Sequence, residues 1–238
     1  MTRPTNYLTD EEVHALKSVS VASLTTALLN RGIATAHIRD VHPVRPDLRM
    51  VGYAFTLRYI PMREDLGSGS QFDNRTNPQR VSVEQVGPGD VLVIDARGET
   101  GAGVLGDILI TRMQQRGAAG IVTDGAFRDT PAIQTIDLPT YCRASAPYMS
   151  AVLHHPVDIN VPVACGGAAV IPGDVIVGDA EGVVVLPAAM AGEIAREAYE
   201  KERYEDWALA RIQQGASILD IYPPSAETYA EYQREMKT

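Results

Sequence analysis

Three charged side chains stand at spacings that suit chemistry: Asp107 and, after twenty intervening residues, the adjacent pair Arg128-Asp129. An aspartate beside an arginine suits a doubly anionic ligand held through a divalent cation. The carboxylate takes the cation and the guanidinium takes a carboxylate or enolate. The same pair also reads as a plain surface ion pair. Just ahead of Asp107 lies Gly101-Ala-Gly103-Val-Leu-Gly106. A glycine-rich segment feeding a helix N-terminus offers bare N–H groups and the positive end of the helix dipole, so it cradles a small anion, carboxylate or phosphate alike. The alternative is that these glycines serve only close packing. The segment also matches G-x-G-x-x-G with the acidic Asp124 downstream, which raises an NAD-dependent dehydrogenase. Against that, residues 95–100 separate the apolar run from the first glycine, whereas a dinucleotide fold turns straight off its strand.

These residues need elements to position them. Gly87-Pro-Gly-Asp90 reads as a turn and residues 91–94, Val-Leu-Val-Ile, as a short buried strand. Residues 107–115 read as a helix closed by Gly117 and Gly120, residues 121–123 as the next strand, and Asp124-Gly125 as the turn after it. Strand, crossover helix and strand make a βαβ unit with parallel strands. Asp107 then falls in the first turn of the crossover helix, and Arg128-Asp129 just beyond the second strand. Both places lie at the carboxyl ends of neighbouring parallel strands, where open α/β sheets bind ligands.

Around this centre, Thr9-Asp-Glu-Glu12 is a capping-box pattern opening a helix to about Ser18, and residues 20–30 form a second helix stopped at Arg31-Gly32. Residues 51–60 read as a strand. Residues 61–78 form a long polar loop whose Arg63 and Glu64 are candidates for tuning substrate choice. Residues 157–170 supply more strands, and residues 188–214 a long charged helix stopped by Gly215. The tail with Tyr222-Pro-Pro224 is expected to be extended or loop-like, and His154-His155 to lie in a loop. Residues 88–96 echo residues 172–180, which points to one turn-then-strand solution used twice. No linker divides the chain, so residues 1–238 are read as one domain, with the C-terminal helix and tail over 188–238.

Composition sets the outer bounds. The chain has 238 residues, 45% of them hydrophobic and 21% charged, so a packed core is expected and disorder is not. A net charge of −9 argues against nucleic acid as the partner, yet local arginines still permit a small anionic substrate. Two cysteines, Cys142 and Cys165, make neither a disulfide framework nor a zinc site and read as buried small side chains. The first ten residues carry no apolar signal region, and no stretch approaches the ~20 apolar residues of a membrane span. The expectation is a cytoplasmic protein that binds no membrane. No serine or cysteine sits in the setting of a triad hydrolase.

The D-x20-R-D spacing of Asp107, Arg128 and Asp129 resembles the signature of the 4-hydroxy-4-methyl-2-oxoglutarate/4-carboxy-4-hydroxy-2-oxoadipate aldolases and their relatives, the RraA-like proteins named after a regulator of ribonuclease E. Gly89-Asp-Val-Leu-Val-Ile-Asp95, Arg116-Gly-Ala-Ala-Gly-Ile-Val-Thr-Asp-Gly125 and Gly178-Asp-Ala-Glu-Gly-Val-Val-Val-Leu-Pro187 are similar to blocks of that family. The resemblance covers roughly residues 20 to 215, with a family core at about 20–187. It implies an α/β fold of the swivelling β/β/α type, assembled as homotrimers or homohexamers with active sites between subunits. It further implies that Asp129 is the protein ligand of a Mg²⁺ (or Mn²⁺) ion, that Asp107 holds water around the ion, and that Arg128 contacts a 2-keto acid. Amides around Gly103, Val104, Leu105, Gly106 and Asp107 would hold the acid's carboxylate. The activity implied is a class II aldolase that releases pyruvate, with oxaloacetate decarboxylation as a side reaction; the alternative is a non-catalytic regulator that binds a ribonuclease.

Two departures from the family pattern stand out. Family members often carry Asp before Ala-Leu in the early helix, where this chain has Thr26-Ala27-Leu28. The family also takes a glutamate from a neighbouring subunit's C-terminal helix; Glu200, Glu202 and Glu205 qualify, with Glu202 and Glu205 preferred.

Overall fold

The strand Met50–Pro61 alternates buried and half-exposed positions along most of its length, the pattern of a strand that presents both faces to packed layers. It is the spine of the molecule. On one edge it pairs in parallel with Asp90–Asp95, from Tyr53 opposite Asp90 to Arg58 opposite Asp95. On the other edge its first half pairs antiparallel with Val175–Asp179 and its second half with His154–Ile159. The computed structural model describes residues 8–66 and 73–236. Among these, the main sheet has nine strands, and its parallel run continues from Asp90–Asp95 to Gly120–Thr123 and Thr140–Cys142.

The parallel strands are buried on both faces, which is why residues 91–94 read as an unbroken apolar run. Leu92, Ile94 and Ile121 pack on one side with Val83 of the helix Pro78–Gln85 and with Ile110 and Met113 of the helix Asp107–Gln115. Val91, Val93 and Val122 pack on the other with Val163, Cys165, Ala168 and Val170 of a short hairpin. Each such side chain contributes roughly 1.5–3 kcal/mol on burial. The helices Asp10–Ser18, Val21–Leu29 and the first half of Ala191–Gln213 cover Val175, Val177, Val184 and Leu186. The α/β class, the central βαβ unit and the long C-terminal helix are all present.

A second, three-stranded parallel sheet was not legible in the sequence. Gly103–Leu105, Ala126–Phe127 and Ala144–Ser145 pair side by side. Each follows a strand of the main sheet within a few residues, so the chain leaves one sheet and enters the next three times over. Strands of two or three residues carry no periodicity from which to read them.

Several local expectations hold. Thr9 and Glu12 form the reciprocal capping box. The internal echo is one device used on both sides of the spine. Gly87 N–H donates to the Asp90 carboxylate and Ile171 N–H to that of Asp174, and Gly89 and Gly173 both take positive φ just before the strand. Cys142 and Cys165 are free and buried.

Two expectations are corrected. His154 and His155 open the strand Met50–Pro61 recruits at its far end, and His154 is wholly buried instead of lying in a loop. The tail is not extended: Ile218–Ile221 and Ala226–Glu235 are helices, N-capped by Ser217 and Ser225. They fold back because Tyr204, Trp207 and Ala208 on the outer half of the long helix need apolar cover, which Ile221 and Tyr232 supply. The polar stretch expected over 61–78 lies where the sequence puts it, between the end of the strand at Pro61 and the helix that Asn77 caps at Pro78. Residues 67–72 of that stretch lie outside the described residues, and Arg63 is paired with Asp65 at 2.6 Å. No helix among the described residues is long and apolar enough to cross a membrane.

Candidate active site

The second sheet builds the site. Leu105 accepts a hydrogen bond from Arg128 N–H at 2.9 Å, so the end of one strand is tied to the start of the next turn. From Leu105 the chain passes through Gly106 into the helix Asp107–Gln115, which has no side-chain cap at its N-terminus. The amide N–H groups of that first turn point outward with the positive end of the helix dipole. Asp107, the first helical residue, turns its carboxylate back to accept from Ile108 N–H at 2.8 Å.

From Phe127 the chain passes through Arg128 to Asp129, which takes the left-handed conformation (φ 61°, ψ 33°). Aspartate is among the few residues that tolerate this region. Asp129 heads the short helix Thr130–Ile133 without capping it, so its carboxylate is not consumed there. It lies instead against Gly106: a Cβ placed on Gly106 would sit 2.8 Å from Asp129 Oδ2. Gly103 is pressed as tightly, its virtual Cβ falling 2.6 Å from the Arg128 backbone nitrogen. Arg128 Nε stands 3.6 Å from Asp129 Oδ1, and both side chains are about two-fifths exposed, at 44% and 41%.

The structure therefore brings Gly103, Val104, Leu105, Gly106, Asp107, Arg128 and Asp129 to one place, at the carboxyl ends of two paired parallel strands. These strands belong to the small sheet and not, as the βαβ reading had it, to the main one. Gly103 and Gly106 allow close packing, and that packing sets Asp129 beside a helix N-terminus without a side-chain cap.

Glu202 and Glu205 are held within their own chain. Glu202 accepts from Ser20 N–H at 3.2 and 3.0 Å, at the start of the helix Val21–Leu29. Glu205 pairs with Lys201 at 3.1 Å and accepts from the Tyr222 hydroxyl at 2.9 Å. Glu200 pairs with Arg203. None of these contacts is with the glycine segment or with Arg128-Asp129.

Asp124, the acidic residue of the dinucleotide reading, is buried and fully committed. It accepts from Ala96 N–H at 2.8 Å and Gly98 N–H at 2.9 Å, tying down the chain that leads to the glycines. That removes the ribose-binding role that reading requires. Burial pushes the Cys142 thiol up to about 11 and raises that of Cys165 as well, so neither offers a thiolate.

Residues to which the sequence analysis assigns no part in the site hold the segment from behind. The buried Gln79 amide donates to the Val104 carbonyl, and the Tyr59 hydroxyl lies 3.5 Å from the same oxygen. His154 Nε2 lies 3.2 Å from the Ala102 carbonyl. A run of three or more His, Cys, Asp or Glu side chains fit to enclose a metal is absent among the described residues. A pair of carboxylates, Asp129 and Asp107, is an all-oxygen donor set of the kind a largely hydrated Mg²⁺ accepts, and unlike a zinc site.

The RraA-like family, described as Aldolase/RraA, matches residues 21–185. A Halalkalibacterium halodurans protein named putative 4-hydroxy-4-methyl-2-oxoglutarate aldolase is 39% identical over 122 residues, covering 51% of this chain and 57% of that protein. The chain thus spans little more than half the length of that relative. A Thermus thermophilus protein named 4-hydroxy-4-methyl-2-oxoglutarate aldolase is 28% identical over 167 residues, 66% of this chain and 94% of the other. Among solved structures, Streptomyces coelicolor RraAS2, described as an unusual member of the RNase ES inhibitor RraA protein family, superposes with a TM-score of 0.76. It is 34% identical, over 87% of this chain and 98% of that one. With its D-x20-R-D residues gathered in one cradle and the family matched across most of its length, this chain belongs to the RraA-like aldolase/RraA family.

Proposed function

We propose that the protein is a carbon–carbon lyase that cleaves a 4-hydroxy-2-keto acid to pyruvate and a carbonyl product, with Mg²⁺ or Mn²⁺ as cofactor. One observation carries the reading: a helix N-terminus without a side-chain cap, a guanidinium and two carboxylates meet at Gly106, Asp107, Arg128 and Asp129. That combination suits a ligand with adjacent carboxylate and carbonyl groups, whose negative charge grows during reaction.

The amides of the first helical turn hold the substrate carboxylate. Arg128 faces the 2-keto oxygen. Asp129, with Asp107 acting through water, would hold a divalent ion, and the chemistry that ion would supply is Lewis-acid polarisation of the keto group. The carboxylates of Asp107 and Asp129 draw the proton from the C4 hydroxyl through an intervening water. The C4 oxygen's electron pair forms the new C=O bond as C3–C4 breaks. The pair from C3–C4 becomes the enolate of pyruvate, whose oxygen is neutralised by Arg128. The proton taken from the C4 hydroxyl returns from the same water to C3 and completes pyruvate. Oxaloacetate loses CO₂ through the same enolate, so its decarboxylation is expected as a side activity.

The proposal includes assembly as a homotrimer or homohexamer with the site between subunits. Supporting it, Ile108 beside Asp107 is 79% exposed, and Tyr148 and Met149, whose backbones adjoin Gly103, are exposed too. Glu202 and Glu205 remain the carboxylates that a neighbouring helix would offer.

The test is a lactate-dehydrogenase-coupled pyruvate assay over a panel of 4-hydroxy-2-keto acids and oxaloacetate. Pyruvate is expected with Mg²⁺, absent after EDTA, and restored by added metal. Asp129→Ala is expected to abolish the metal-dependent rate, and full activity in that variant would remove Asp129 as ligand. The name of the Streptomyces relative favours a second reading, a non-catalytic regulator that binds a ribonuclease. It predicts ribonuclease binding with no pyruvate from any acid, oxaloacetate included.

A further inference from the structure

Two buried polar side chains grip the glycine segment on carbonyls rather than on the amides it presents. Gln79, 7% exposed, donates to the Val104 carbonyl from the helix Pro78–Gln85. His154, with no exposure, meets the Ala102 carbonyl from the strand His154–Ile159. Tyr59 links them, its hydroxyl 3.5 Å from the Val104 carbonyl and its ring 5.3 Å from the His154 ring. The three come from separate elements and converge on residues 102–104, directly ahead of Gly106.

The chemistry of the contacts settles the tautomer. A carbonyl only accepts, so His154 Nε2 must carry the proton that it shares with Ala102. Nδ1 is then the acceptor, and Arg97 Nη2 stands 3.2 Å from it, donating; the same guanidinium nitrogen also donates to the Leu153 carbonyl at 3.1 Å. A neutral His154 thus uses both ring nitrogens, and an imidazolium would have to turn a second N–H toward a guanidinium.

We propose that His154 and Gln79 are positioning residues that clamp the Ala102 and Val104 carbonyls, so that Gly106 and Asp107 present their amides to the carboxylate of a keto acid in a fixed direction. What is presented rests on the lyase reading; the clamp itself rests on the geometry alone. A peptide unit is planar and trans, so fixing the Ala102 and Val104 carbonyls fixes the N–H groups of Gly103 and Leu105, and with them the short strand that delivers the chain into Gly106 and Asp107. Rotating either unit would strand a buried donor without a partner, which proteins avoid. Burial holds His154 below its ordinary pKa, as a clamp in the neutral form requires.

The experiment compares His154→Leu, His154→Gln and Gln79→Met, with circular dichroism to confirm folding. Hydrogen–deuterium exchange of the peptide spanning residues 102–109 should accelerate in His154→Leu and in Gln79→Met. His154→Gln, which keeps a donor for Ala102, should return it toward the parent. The KM for oxaloacetate should rise about tenfold in His154→Leu, the factor one lost net hydrogen bond corresponds to, while kcat stays within about threefold. Unchanged exchange and unchanged KM in the folded variants would overturn the clamp. Should His154→Leu not fold, Gln79→Met decides by the same two readouts. If the parent releases no pyruvate, the lyase reading fails, and the exchange measurement still decides the clamp.

Discussion

Gly106 has φ −123° and ψ 180°, extended backbone that alanine adopts without strain. The cost of Gly106→Ala therefore falls on its neighbour, since the new methyl would stand 2.8 Å from Asp129 Oδ2 and the carboxylate must swing away. The expected outcome is a thermal midpoint near the parent's with pyruvate release down on the order of a hundredfold, the penalty of misplacing a reacting group by about 1 Å. Gly103→Ala behaves oppositely, because its methyl meets the Arg128 backbone nitrogen at 2.6 Å and backbone cannot swing. Urea unfolding should register a loss of about 1–3 kcal/mol. His154 sets a pH dependence of its own. Its folded pKa lies below the ordinary 6.5, mainly through burial, with Arg97 adding to the effect and Glu99 and Asp124 opposing it. The unfolded chain therefore binds the proton more readily, so the stability His154 confers is complete above pH 6.5 and declines as the pH falls toward the lower folded value. Unfolding midpoints between pH 7 and 5 should fall less steeply in His154→Gln than in the parent.

At the scale of elements, several helix N-termini are held by polar side chains, Thr9, Ser20, Asn77, Ser217 and Ser225 among them. Ser20, Asp179 and Glu202 all serve the start of Val21–Leu29: Asp179 accepts from Val21 N–H at 2.8 Å, and Glu202 from Ser20 N–H. Among the described helices of eight residues or more, Asp107–Gln115 and Ala191–Gln213 have no side-chain cap, and of the two it is Asp107–Gln115 that begins beside the Arg128-Asp129 pair. Glu202→Ala should lower stability by about 1 kcal/mol in chemical denaturation, the usual worth of an N-terminal cap. Measured beside Glu205→Ala, it separates capping from catalysis. Under the proposed assembly, a rate loss in either variant beyond its stability loss would mark that glutamate as the one offered to a neighbouring site.

Across the whole molecule, the apolar interior divides into three clusters around the main sheet and a separate one at the C-terminus. That last cluster consists of Tyr204, Trp207, Ala208, Ile221 and Tyr232, and none of its members belongs to the others. Trp207 is the chain's single tryptophan, buried there with Arg211 stacked 4.2 Å over its ring. The tail is a unit of lower stability than the sheet because so few side chains hold it. In a urea titration, tryptophan fluorescence should shift red at lower denaturant than the far-ultraviolet circular dichroism of the sheet is lost. Coincident transitions would show that tail and sheet unfold together.

The residue types and their chain spacing were enough for the capping box at Thr9, the crossover helix from Asp107, the flanking strands and the trio Asp107, Arg128 and Asp129, because caps, helical stops and apolar runs are local signals. Asn77-Pro78 was a legible start signal too, an N-cap followed by proline at the first helical position. The small second sheet was not legible, since its strands are two or three residues long and exist only because three strands of the main sheet deliver them side by side. His154 beside Pro156 looked like a loop by composition; its place at the far end of the spine is a long-range pairing with Pro61. Gln79 lies 25 residues from Val104 and His154 lies 52 from Ala102, and no local pattern encodes such contacts. Which residues carry chemistry is a matter of type and spacing; how closely Asp129 approaches a bare helix end is decided by backbone packing at Gly103 and Gly106, and only the folded chain contains it.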